Sequence, residues 1–141
     1  MSSKYVRDQV KAFLDANWVA TIIAGAENEF EEPPGSLVPW LTYGFGAEGE
    51  QQMSIGNPGG NCFEEPGEVR VTVFVASGTG IEEALTYAES VRTMFRGVQL
   101  GQVRFTTVDP PDTSFPSSVQ SSMGNWFGYQ VVARYVYNYA T

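Results

Sequence analysis

The chain has 141 residues, 43% of them hydrophobic and 13% aromatic, which marks a folding chain rather than a disordered one. Its formal net charge is −8, and the eight basic residues are scattered, which argues against a nucleic-acid-binding face built from clustered Lys and Arg. It has no His and a single cysteine, Cys62, so Ser-His and Cys-His dyads, the usual structural zinc sites and an intrachain disulfide are all excluded. This length predicts one domain over residues 1–141, and the lone cysteine with no apolar leader or spanning run predicts a soluble chain in a reducing compartment.

In chain order, Ser2 or Ser3 caps a first predicted helix reaching about Ala16. Val6, Val10, Phe13 and Leu14 fall on one face of it, and charged residues fall on the other. Trp18–Ile23 (WVATII) is β-branched and reads as extended. An acidic stretch from Glu27 to Glu32 stops at Pro33-Pro34-Gly35. Leu37–Phe45 reads as a strand, and Pro39 either places it at an edge or moves its start to Trp40. Gly49–Ile55 and Cys62–Ala76 read as a β-hairpin joined through Gly56-Asn57-Pro58-Gly59-Gly60-Asn61, long enough to project from the body. Glu64-Glu65-Pro66-Gly67 predicts a bulge or bend in its second strand. From Val69 to Val75 every odd residue is Val, the mark of a strand with one buried face.

A second helix is expected from Ile81 to about Arg96, with Thr79 and Glu82 as a capping box and Gly97 just past its end. Val103–Val108 follows as a strand, giving strand–helix–strand. Asp109–Asn125 is a polar loop rich in Pro and Ser, of a length at which loops are usually functional or disordered. The last strand, Trp126–Tyr139, places Phe127, Tyr129, Val131, Ala133, Tyr135, Tyr137 and Tyr139 on one side. The fold class expected is α/β (α+β): a small, mixed, mainly antiparallel sheet packed with two helices, plus a projecting β-hairpin and a long loop.

Each candidate for chemistry has a plainer reading. The turn VFVASGTGIEEA enters a helix through Gly78 and Gly80, as phosphate-binding turns do. The third glycine of a dinucleotide fingerprint is replaced by Glu83, however, and Glu82 and Glu83 occupy the first turn where an anion would sit. These glycines only turn the chain. Cys62 is followed by Glu64 and Glu65 rather than by a base or cation, so it is not expected to be a reactive nucleophile. Acid pairs such as Glu31-Glu32 read as exposed charge, without the order of a calcium loop. The C-terminal aromatic stripe reads as core, or core shared with a neighbouring subunit, or a carbohydrate-stacking platform. No catalytic, cofactor-binding or metal-binding residue is assigned, and the chain is read as a non-enzyme.

The order of these elements, with Asn17-Trp18, Asn28-Glu29-Phe30, Pro39-Trp40-Leu41, the Gly-rich hairpin, Val69–Ala76, Gly78-Thr79-Gly80, Val103-Arg104-Phe105 and the Trp126–Tyr139 strand, resembles the tail terminator (tail completion) family of long-tailed bacteriophages. Val19 stands where many relatives carry a proline after the tryptophan. The resemblance implies a structural virion protein whose subunits form a hexameric ring. The ring caps the head-proximal end of the tail tube, ends its polymerisation and presents a surface to the head connector. The implied partners are other copies of the chain, the tail tube protein and the head-completion or connector protein, with DNA passing through the lumen unread. The implied location is the virion's head–tail interface, and the host cytoplasm during assembly. Candidate interface residues on the hairpin and the long loop are Met53, Ile55, Asn57, Phe63, Phe115, Met123 and Trp126. No Lys or Arg occurs from Ala12 to Val69, whereas nine Glu fall between Glu27 and Glu68. That asymmetry reads either as a solvated acidic surface or as a lumen lining that repels DNA, with Glu48, Glu50, Glu64 and Glu65 as candidate lumen-facing acids. Two other readings are a small ligand- or peptide-binding module using the aromatic strand face and a head-completion protein of the same particle.

Overall fold

A computed structural model describes residues 4–23, 39–47, 49–76, 82–112 and 126–140. The elements are α1 (Lys4–Asn17), β1 (Ile22–Ile23), β2 (Trp40–Ala47), β3 (Gln51–Gln52), β4 (Cys62–Ala76), α2 (Glu82–Phe95), β5 (Gln99–Leu100), β6 (Val103–Val108) and β7 (Trp126–Ala140). Seven strands form one sheet in the order β1-β2-β4-β7-β6-β5, with β3 joined to the free end of β4. Only β1 and β2 run parallel; every other pair is antiparallel. This is the small α+β fold, with a mixed, mainly antiparallel sheet and two helices, that the hydrophobic pattern predicts.

The central feature is the ladder between β4 and β7. It runs without a break from Cys62↔Ala140 to Ala76↔Trp126. Alternation along both strands sends Val69, Val71 and Val73, with Val131, Ala133, Tyr135 and Tyr137, to one face. There they meet Val6, Val10 and Leu14 of α1 and Ala88, Val91 and Phe95 of α2. The helices follow the same arithmetic. Val6, Val10 and Leu14 recur every four residues, and Ala84, Ala88, Val91 and Phe95 every three or four, so each set stays on one stripe. The strand–helix–strand unit β4-α2-β6 is split, because β7 inserts between its two strands and α2 packs across β7 and β4. Gly97 ends α2 with φ 69°, the left-handed backbone that a residue lacking Cβ adopts freely.

The opposite face is mixed. Glu68 lies directly across from Arg134, accepts from its Nη1 at 3.3 Å, and also pairs with Arg70; Arg134 Nη2 reaches Asp109 at 3.1 Å. At one end of that face Trp40 and Phe74 stack with ring centroids 4.6 Å apart, both buried. Gly128 makes room for this stack, since a Cβ there would stand 2.8 Å from the Phe74 ring.

Three expectations are corrected. No bulge occurs at Glu64-Glu65-Pro66-Gly67, where the β4–β7 register is continuous. Proline is accommodated because Cys62 turns both its N–H and its C=O toward the β3 side, donating to Ser54 and accepting from Met53. Two steps of two along the strand place Pro66 on that same side. The partner strands are interrupted there, between Ala47↔Gly67 and Gln51↔Glu64, so the missing N–H costs no ladder bond. Residues Trp18–Thr21 are not strand: the Trp18 indole donates to Thr21 Oγ1 at 2.8 Å and bends the chain, leaving only Ile22–Ile23 extended. The hairpin, finally, is not a free two-stranded arm. Its β4 arm is paired with β7 throughout. Of the two readings of Pro39, the structure takes the second: the strand starts at Trp40, and it lies inside the sheet rather than at its edge. The capping role of Thr79 and the loop beyond Asp112 lie outside the described residues, while Asp112 itself bridges to Gln130.

Gly67 is the tightest point of the ladder: a Cβ there would stand 2.5 Å from the Tyr135 hydroxyl and 2.6 Å from the backbone oxygen of Gly46. Because one obstacle is backbone, Gly67→Ala is expected to destabilise by about 1–3 kcal/mol in urea unfolding. Gly44→Ala, where nothing stands within 4 Å, should change stability by less than about 0.5 kcal/mol.

Candidate functional site: an exposed apolar turn and an open groove

Among the described residues three large hydrophobic side chains are exposed: Val19 at 87%, Met53 at 58% and Ile55 at 85%. They occupy two places, and each has a local cause.

Met53 and Ile55 belong to the turn between β3 and β4. Gly60 N–H donates to the Asn57 carbonyl at 2.8 Å, Pro58 sits at the second position and Gly59 has φ 84°. These are the marks of a type II turn. Polar side chains tie the rest of the segment together: Asn57 N–H donates to Asn61 Oδ1, Cys62 N–H to Ser54 Oγ, and Gln52 Nε2 to the Ser54 carbonyl. With the backbone held from inside by Asn, Ser and Gln, Met53 and Ile55 have no core to enter and stand outward. Asn57, the third candidate of this segment, is exposed as well.

Below the turn the β4–β7 ladder overhangs its neighbours, because β2 ends opposite Gly67 and β6 begins opposite Tyr137. Aromatic rings cover this overhang. Tyr5 of α1 stacks on Tyr137 at 5.0 Å, Tyr137 on Tyr139 at 4.9 Å, and Tyr139 on Phe63 at 5.6 Å. Phe63 is thus half-buried in a ring row rather than a free contact residue. Desolvation by burial raises the Tyr137 pKa above its ordinary value, with Tyr5 and Glu65 adding to the shift.

The second place is a groove of about 880 Å³ between the end of α1 and the outer side of α2. Asn17 Nδ2 donates to the Phe13 carbonyl as α1 ends. Trp18 then turns inward to meet Tyr87 edge to face, at 6.2 Å. Burying Trp18 leaves the next side chain, Val19, outward in the groove, which Leu85 and Met94 also line. Glu82 and Glu89 line the α2 side. Burial, with the carboxylate of Glu83 beside it, raises the pKa of Tyr87.

The candidate acids divide. Glu64 and Glu65 are adjacent on one strand and leave opposite faces, so they cannot share a lumen wall. Glu65 is buried on the helix side, accepting from the Tyr135 hydroxyl at 2.9 Å, which removes it from any exposed acidic lining. Glu50 is exposed and Glu64 half-exposed. Glu48, Phe115, Met123 and the side chain of Trp126 lie outside the described residues. No group of three or more His, Cys, Asp and Glu that could hold a metal occurs among the described residues, and Cys62 is exposed. Sequence reasoning missed Val19 and its groove. The available signal was a β-branched residue in the uncharged stretch after Trp18, read there as strand.

No protein-family model and no curated protein matches the chain. Fourteen chains of solved structures do, and one aligns with a TM-score of 0.57 at 20% identity over 100% of this chain and 96% of that one. At that identity the likeness shows the fold alone.

The buried tyrosines set an alkaline limit. A tyrosine whose folded pKa lies above its unfolded value contributes stability that is present below pH 10 and is lost as pH rises through the folded pKa. Unfolding free energy measured above pH 10 is expected to fall with pH, and Tyr137→Phe to reduce that slope relative to wild type.

Proposed function

We propose that the chain is a structural protein of a phage particle. It forms a ring on the head-proximal end of the tail tube, ends tube polymerisation and offers a surface to the head connector. The observation that carries this reading is the exposed, internally braced turn with Met53 and Ile55, set at the end of an overhanging ladder. An apolar pair held away from the core by hydrogen bonds is built for contact with another protein surface. The order of sequence elements supplies the kind of assembly, and the α+β fold is compatible with it. A closed ring requires two different patches on each subunit, and exposed apolar side chains stand at two separate places.

The stacked row Tyr5–Tyr137–Tyr139–Phe63 favours a second reading, a binding module that takes a flat ligand on its rings. The two differ in the particle they produce. Electron microscopy of the purified protein, with and without tail tubes, is expected to show sixfold rings seated on tube ends. Subunits that stay solitary in both samples would eliminate the ring and leave the binding module.

A further inference from the structure

We infer that the turn carrying Met53 and Ile55 docks into the Val19 groove of a second copy of the chain, so that subunits join head to tail. The inference rests on the self-assembly reading above and names the surfaces that assembly uses.

Placement excludes contact within one chain. Tyr5, at the start of α1, stacks on Tyr137 next to the overhang that ends in the turn. Trp18, just past the end of α1, packs on Tyr87 at the groove. α1 runs between these points, and at ~1.5 Å per residue it separates them by about 20 Å. A turn at one end cannot fold back into a groove at the other, but it can enter the groove of the next molecule.

Charge selects the same pair of surfaces. Two copies of a chain with net charge −8 repel, and contact is least opposed where neither presents like charge. Residues 51–63 (QQMSIGNPGGNCF) contain no charged residue, and neither do residues 16–26 (ANWVATIIAGA), of which Asn17, Trp18, Val19 and Ala20 line one wall of the groove. The other wall carries Glu82 and Glu89. Facing it, the exposed amides of Gln51 and Asn57 bring donors rather than further carboxylates. The apolar side chains match as well: Met53 and Ile55 enter over Val19, Leu85 and Met94. Because the two patches differ, the contact is heterologous, and repetition closes a ring or extends a filament.

Such a contact has a diagnostic that a symmetric dimer lacks. Ile55→Asp spoils the turn and spares the groove, whereas Val19→Asp spoils the groove and spares the turn. Both positions are largely exposed, so the fold should survive, as circular dichroism would verify; Ile55→Ser and Val19→Ser serve if either aspartate variant unfolds. Assembly is followed by sedimentation in solution and by imaging on tube ends. Wild type is expected to form assemblies larger than two chains, and each variant to associate at least ~10-fold more weakly. An equimolar mixture of the two variants should give a heterodimer that grows no further, because only one intact turn–groove junction remains. Variants that assemble like wild type would overturn this interface while leaving the ring reading standing, as would a mixture that restores full-sized assemblies. A wild-type chain that stays at 15.4 kDa in solution and on tubes would overturn both.

Discussion

The structure depends on a single long ladder. β4 and β7 pair residue for residue from Cys62↔Ala140 to Ala76↔Trp126, and every other element is placed relative to that pair. Its register is pinned from one face by Val69, Val71, Val73, Val131, Ala133 and Tyr135, since a slip of one residue would turn a whole strand's apolar set away from the helices. From the other face it is pinned by Glu68 standing opposite Arg134. Two glycines make the ladder passable where rings cross it, Gly67 under Tyr135 and Gly128 under Phe74, on opposite faces of the sheet.

A ladder longer than its flanking strands must overhang them, and the overhang shapes the surfaces available to partners. Where β2 and β6 stop, only Tyr5 at the start of α1 reaches the overhang among the described residues, and the rings of Tyr137, Tyr139 and Phe63 cover one another beyond it. Stacked pairs of this kind contribute roughly 0.5–1.5 kcal/mol each beyond the area they bury. They stiffen the base of the turn, so that Met53 and Ile55 are presented by a supported platform rather than a loose loop. At the other end Trp18 does the corresponding work: it closes the junction of α1 and α2 and leaves Val19 on the outside.

The acidic character of the chain is therefore not spread evenly over one surface. Glu68 is tied into the arginine pairs of the mixed face, Glu65 is sunk beneath the helices, and Glu82 and Glu89 border the groove. The segments that expose apolar side chains carry no charge at all. In the proposed assembly, attraction between copies would be led by apolar contact, with net charge acting mainly to oppose other arrangements.

Much of this was legible in the sequence by itself. Period-two runs of valine and tyrosine and apolar stripes spaced by three and four determine two helices and the strands β4, β6 and β7, with the correct faces for α1, β4 and β7, because such periodicity is a local property of the backbone. Asn-Pro-Gly-Gly likewise determines the turn beneath Ile55. The tertiary structure alone decided which strands are neighbours. It inserted β7 between β4 and β6, gave Pro66 a gap where its missing N–H is harmless, and separated Glu64 from Glu65 by the thickness of the sheet. It also formed the groove, since Val19 becomes an exposed groove-lining residue only after Trp18 has packed on Tyr87 of a helix some seventy residues away. Pairing and docking are set by side chains distant along the chain, and a pattern read within a few residues does not contain them.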